Sequence, residues 1–113
     1  MSKYYSRLDL CFSAFGDPTR RSILERLARG SATVSELAEP HDMALPSFME
    51  HLKKLETAKL ITSKKEGRTR ICDLSPDAFT PAKDWLSDQS EIWEGRLDRF
   101  DEYVTNLVEE QNR

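Results

Sequence analysis

Between Ala44 and Glu56 the chain reads ALPSFMEHLKKLE, and its side chains fall into two sets by spacing. Leu45, Phe48, Leu52 and Leu55 recur every three or four residues, the period of a helix with one buried stripe. Between them stand Pro46, Ser47, Met49, Glu50, Lys53 and Lys54. This second set offers a hydroxyl, a thioether, a carboxylate and two ammonium groups within two turns. Such groups suit the edges of base pairs in a DNA major groove: a carboxylate accepts from the cytosine amino group, and an apolar tip meets the thymine methyl. Glu50 discriminates between a reading surface and a merely attractive one. It would repel phosphates, so a base contact is expected of it. The plainer alternative is an i, i+4 pair with Lys54, worth a few tenths of a kcal/mol.

The elements on either side fit a helix that is presented outward. Thr33-Val34-Ser35-Glu36 has the form of a capping box opening a short helix that buries Val34, Leu37 and Ala38 and stops at Pro40. A turn over 39–43 leads into the helix expected at about 45–58, which makes a helix-turn-helix. Two strands follow, at 61–65 and 68–74, joined by a tight turn at Glu66-Gly67. Lys64, Lys65, Arg68 and Arg70 crowd the tip of this hairpin, a wing spanning about 61–74 that is suited to phosphates.

Other chemistries find little support. His41, His51, Cys11 and Cys72 are scattered without the close pairs that zinc requires, so no metal site and no cofactor is expected. Cys11 and His51 fit packing roles, while Cys72 on a wing strand leaves a redox-responsive thiol as an alternative. There is no glycine-rich phosphate loop and no nucleophile with a matching base, which argues against an enzyme.

The 113 residues suffice for a single domain over 1–113, and with 38% apolar and 33% charged side chains the chain reads as globular. No apolar run approaches the ~20 residues of a membrane helix, and no signal peptide is visible, so a cytoplasmic location is expected. The net charge of −3 conceals a division. Residues 44–72 carry seven basic against three acidic side chains, and residues 73–113 carry four against eleven. The basic middle is therefore the candidate binding surface.

At the start of the chain, Tyr4, Leu8, Cys11, Phe12 and Phe15 predict a helix ending near Gly16. Asp17-Pro18 then caps a second helix, burying Ile23, Leu24, Leu27 and Ala28 before Gly30. At the other end, Ser75-Pro76 reads as a cap and first turn, and Thr80-Pro81 opens a long helix over about 81–110. Trp93, Leu97, Phe100, Val104 and Leu107 form an a/d seam along it. So large an apolar load predicts a homodimer, with Leu8 and Phe12 of the first helix contributing, and hence a pseudo-palindromic DNA operator. A winged-helix module that binds a protein partner through its acidic helix is the alternative.

The stretch AFGDPTRRSILERLARGSATVSELAEPHDMALPSFMEHLKKLETAKLITSKKEGRTR resembles the ArsR-type winged-helix repressors of bacteria. The residues that carry the likeness are the Asp17–Arg21 opening, the VSELA helix, HLKKLE and the hairpin with Gly67. The DWLSDQSEIWEGRLDRFDEYV tail is similar to a subgroup with tryptophans in the last helix. The resemblance implies a mainly α winged helix-turn-helix of five helices plus a β-hairpin wing, dimerising through its first and last helices and acting as a repressor. Metal-sensing relatives carry a Cys-x-Cys on the third helix, where this chain has Ser35 to Glu39, so a metal response does not carry over and the effector is unknown. Many relatives also have serine at the position of Ala44, and serine followed by a basic residue at the positions of Met49 and Glu50. Ala44 therefore leaves the helix without its usual cap, and Met49-Glu50 implies a different operator.

Overall fold

Polar caps set the limits of the first two helices. In the computed structural model of the chain, which describes residues 6–112, Ser6 accepts from the Asp9 amide and opens α1, Arg7–Phe15. Tyr4 lies outside the described residues. Cys11 and Ala14 turn inward, while Phe12 is exposed and meets the Phe15 ring edge-on at 6.1 Å. Asp17 accepts from the Arg20 amide at 3.0 Å and, with proline at the first position, opens α2, Pro18–Leu27. Ile23, Leu24 and Leu27 are buried. Ala28, expected among them, is exposed, because it is the C-cap residue and the stripe has already ended.

A strand that was not expected comes next. β1, Ala32–Thr33, pairs with the wing through Ala32↔Cys72 and Thr33↔Ile71. Thr33 is also the cap of α3, Val34–Ala38: its hydroxyl accepts from the Glu36 amide, and the Glu36 carboxylate accepts from the Thr33 amide, a complete capping box. Leu37 is buried, with Val34 and Ala38 packed at the edge of the core.

α4 spans Leu45–Thr57 and buries Phe48, Leu52 and Leu55. Leu45, read as part of that stripe, is 59% exposed. Side chains tilt toward a helix's N-terminus, so a first-position leucine points past the end of the core. The helix closes on a Schellman arrangement: the Leu60 amide donates to Leu55 and the Lys59 amide to Glu56, with Lys59 at φ +61 where glycine is the usual choice. Leu55 and Leu60 are both fully buried and seal the exit.

β2, Ile61–Glu66, and β3, Thr69–Leu74, form the wing, and the antiparallel sheet has the order β1-β3-β2. Because Glu66 pairs with Thr69, the turn residues are Gly67 and Arg68 rather than Glu66 and Gly67. Gly67 takes φ +61, the left-handed geometry that lets a two-residue loop match the twist of the strands. Pro76 to Phe79 form turns, not the first turn of a helix; the Arg7 guanidinium reaches back to the Asp77 carboxylate at 2.9 Å and holds that carboxyl below its usual range. α5 spans Thr80–Gln111. The chain divides after Ala82 into the winged body and a unit formed by the rest of α5. Among the described residues no helix is long and apolar enough to cross a membrane.

The capping box has a measurable signature. The Thr33 amide, then its hydroxyl, hold the Glu36 carboxyl below the usual carboxylate range. A carboxyl depressed by folding contributes stability that is complete above its unfolded pKa and is lost as pH falls through the folded one. Thr33→Ala is expected to cost about 0.5–2 kcal/mol at neutral pH. In denaturant titrations the part of the deficit owed to the hydroxyl's bond to the Glu36 carboxylate should fade as pH falls through the folded pKa of that carboxyl. The part owed to the lost bond from the Glu36 amide should persist.

Candidate nucleic-acid interface

With Phe48, Leu52 and Leu55 in the core, the opposite face of α4 faces solvent. Pro46, Ser47, Met49, Glu50, Lys53 and Lys54 are all exposed on it. No side chain caps this helix at Ala44, as the sequence implied, and Pro46 stands in its first turn, where a missing amide hydrogen costs nothing. The described contacts of Glu50 include no salt bridge to Lys54, although both line a cleft between α4 and α1 with Leu10, Ser13 and Ala14.

The wing stands against the other flank of α4. Ser63 Oγ donates to Glu56 Oε1 at 2.6 Å, and Arg70 Nη1 donates to Ser63 Oγ at 2.9 Å. This relay ties the last turn of α4 to both wing strands. Arg70, read from the sequence only as a phosphate ligand, is therefore also a brace. Lys64 lies 3.4 Å from Glu66, a weak exposed pair, and Lys65 and Arg68 are exposed near the hairpin tip.

A second set of contacts was not foreseen from the sequence. Arg20 is 8% exposed, a buried charge. Its Nε donates to the Ala14 carbonyl and its Nη2 to the Ser13 carbonyl, both at 3.1 Å, while Nη1 lies 3.2 Å from His51 Nδ1. Asp17 Oδ2 lies 3.6 Å from the same nitrogen. The Arg20 amide, above all, holds the Asp17 carboxyl below its usual range. Arg21 Nη1 donates to the Phe15 carbonyl at 2.6 Å, so both arginines of the Asp17–Arg21 motif serve the C-terminal end of α1. His51, assigned to packing by its place beside the buried stripe, is half-buried with polar partners. The one sequence signal for this cluster was the Asp17–Arg21 motif itself.

Cys11 and Cys72 are both buried free thiols, and burial pushes each thiol pKa up. That is the opposite of what a reactive thiolate needs. His41 stacks on Phe48 at 5.6 Å. Among the described residues no three of His, Cys, Asp and Glu gather as metal ligands.

In α5, taken by itself, the seam residues Trp93, Leu97, Phe100, Val104 and Leu107 are all exposed. So are Ile92, Tyr103 and Val108 on neighbouring positions, with Ile92, Phe100 and Tyr103 more than 60% accessible. On α1, Leu8 is half-buried and Phe12 exposed.

A helix-turn-helix domain model matches residues 15–64. The HTH-type transcriptional regulator Rv2034 of Mycobacterium tuberculosis is 34% identical over 92% of this chain and 94% of its own length. The transcriptional repressor SdpR of Bacillus subtilis is 32% identical over 66% of this chain and 83% of its own. A solved ArsR family transcriptional regulator, RHA00566, superposes with a TM-score of 0.75 at 52% identity, covering 79% of this chain and 98% of that one. The chain belongs to the ArsR family. It is a winged helix-turn-helix, DNA-binding transcriptional regulator rather than an enzyme. Within that family frame, the α4 face and the wing are the parts whose chemistry suits nucleic acid.

The burial of Cys72 leads to a direct expectation. In the folded protein neither cysteine should react with a thiol reagent at neutral pH over minutes, and both should label after denaturation. Rapid labelling of Cys72 in the native protein, read by mass spectrometry, would restore a thiol-based switch.

Proposed function

We propose that this ArsR family protein is a homodimeric repressor that binds a pseudo-palindromic operator in the cytoplasm and acts by steric block. The observation that carries the reading is the exposed α4 face, held outward by its buried stripe and flanked by a basic wing braced against it. Ser47, Met49 and Glu50 lie where base edges would be met, with Pro46 at the entry. Lys53 and Lys54 supply charge toward the C-terminal end of α4. Lys64, Lys65 and Arg68 serve phosphates, which gives salt-dependent affinity with little sequence preference. Arg70 joins them from a fixed position through Ser63. The effector is not assigned, and the third helix lacks the Cys-x-Cys of metal-sensing relatives.

Dimerisation is supported by the α5 stripe. Removing each large apolar side chain from water is worth roughly 1.5–3 kcal/mol, and a twin helix, with Leu8 and Phe12 of α1, provides the cover. The acidic remainder of α5 then solvates the assembly away from DNA. Leu97→Asp puts a charge into the seam and should yield monomers by light scattering, with loss of operator binding. An unchanged dimer would show that the contact lies elsewhere.

Glu50 provides the sharpest test of base reading. Glu50→Gln keeps the shape and removes the charge. Selection from randomised duplexes should show a changed preference at one symmetric pair of positions, reflecting roughly 1–3 kcal/mol of discrimination. If the variant instead binds all DNA more tightly with the same preferred site, Glu50 is only a surface charge.

A further inference from the structure

We propose that Arg20 and His51 are positioning residues for operator recognition: together they fix the orientation of α4 relative to α1, and thereby the half-site spacing the dimer accepts. The proposal rests on the dimeric reading above and adds to it a determinant of spacing that touches no base.

Arg20 reaches α1 and α4 from α2 with three separate donors. Two of them serve the carbonyls of Ser13 and Ala14, at the end of α1. The last carbonyls of a helix carry the negative end of its dipole, so a buried guanidinium is well placed there whatever α4 does, even though the Ser13 carbonyl also accepts from the Gly16 amide. The third donor, Nη1, is directed at His51 Nδ1 at 3.2 Å. A guanidinium has no acceptor, so within this contact the imidazole nitrogen is the accepting partner. Asp17 closes the group on the α2 side, its Oδ2 accepting from the Arg20 amide and lying 3.6 Å from His51 Nδ1.

The planar fork of arginine holds these directions rigidly with respect to one another. Phe48, Leu52 and Leu55 set how deeply α4 sits, but apolar contact has no direction and permits a small roll or slide. A hydrogen bond weakens steeply when misaligned. The Arg20–His51 bond is thus the directed contact on the α1 side that, opposite the Glu56–Ser63–Arg70 relay, resists rolling and sliding of α4. His51 is half-buried and directly follows Glu50 in sequence, so a roll at 51 swings the reading carboxylate across the groove. In a dimer joined through α1, a slide or tilt of α4, which the same bond also resists, changes the separation of the two reading helices. Half-sites one helical turn apart make that separation a property that can be measured.

The experiment uses the full-length chain and duplexes with fixed half-sites and a spacer of varied length. The wild type should show a sharp optimum. His51→Leu, which removes the acceptor, should shift or broaden it by about a base pair or more while keeping the base preference within each half-site. His51→Gln retains a side-chain acceptor and should restore the wild-type profile. Arg20→Lys keeps the charge at the end of α1 but lacks the fork, and should reproduce the His51→Leu profile if that variant does not fold. A purely structural role would lower affinity equally at every spacing with the optimum unmoved, and that result overturns the proposal while leaving the dimeric reading intact. A wild type indifferent to spacing removes the dimeric reading, and the proposal falls with it.

Discussion

The arrangement of this fold around α4 depends on that helix being unable to bury two faces. Phe48, Leu52 and Leu55 occupy the core with Ile23, Leu60 and Cys72, and their removal from water fixes which side of the helix is left outside. The outer set then has no competing role inside the fold. Ser47, Met49, Glu50, Lys53 and Lys54 face solvent because of what lies behind them. An exposed face of this kind is made by packing on its reverse side, so a cavity under Leu55 would disturb it as surely as a change at Glu50.

The same helix is clamped at three places by different kinds of interaction. Its C-terminal end is closed by the Schellman bonds around Lys59, which turn the chain directly into β2. Its outer last turn is joined to the wing by Glu56, Ser63 and Arg70. Its inner flank meets Arg20 through His51. Its N-terminal end, by contrast, has no side-chain cap. The helix is therefore fixed most firmly at the end nearest the wing, and the end that carries Pro46 and Ser47 is held without a side-chain cap.

Charge is partitioned along the chain in a way that total charge conceals. The hairpin and α4 hold the basic excess, and the segment from Asp73 onward holds eleven acids. Within a Debye length of about 8 Å at physiological salt, an anion near the wing would meet the local positive field and not the overall negative one. Most of these acids lie along α5, interleaved with its exposed apolar stripe.

The sequence by itself determined what depends on neighbours in the chain. The Asp17-Pro18 and Thr33–Glu36 caps, the α4 stripe, the hairpin with Gly67 and the α5 periodicity are written within a few residues of one another, and each appears in the structure close to its expected place. Only the tertiary structure decided what depends on residues distant in sequence. β1 is two residues long, too short for any alternation to register, and exists because Cys72 and Ile71 lie beside it. Leu45 satisfies the stripe by spacing yet lies beyond the end of the core. Cys72 read as an open question on a wing strand, and its burial, which raises the thiol pKa, is something only the packed fold supplies. Arg20 and His51 stand thirty-one residues apart, and neither carries a local signal of the other. Propensity, capping and periodicity are short-range properties, whereas burial and directed hydrogen bonds across elements arise only once the elements have been packed together.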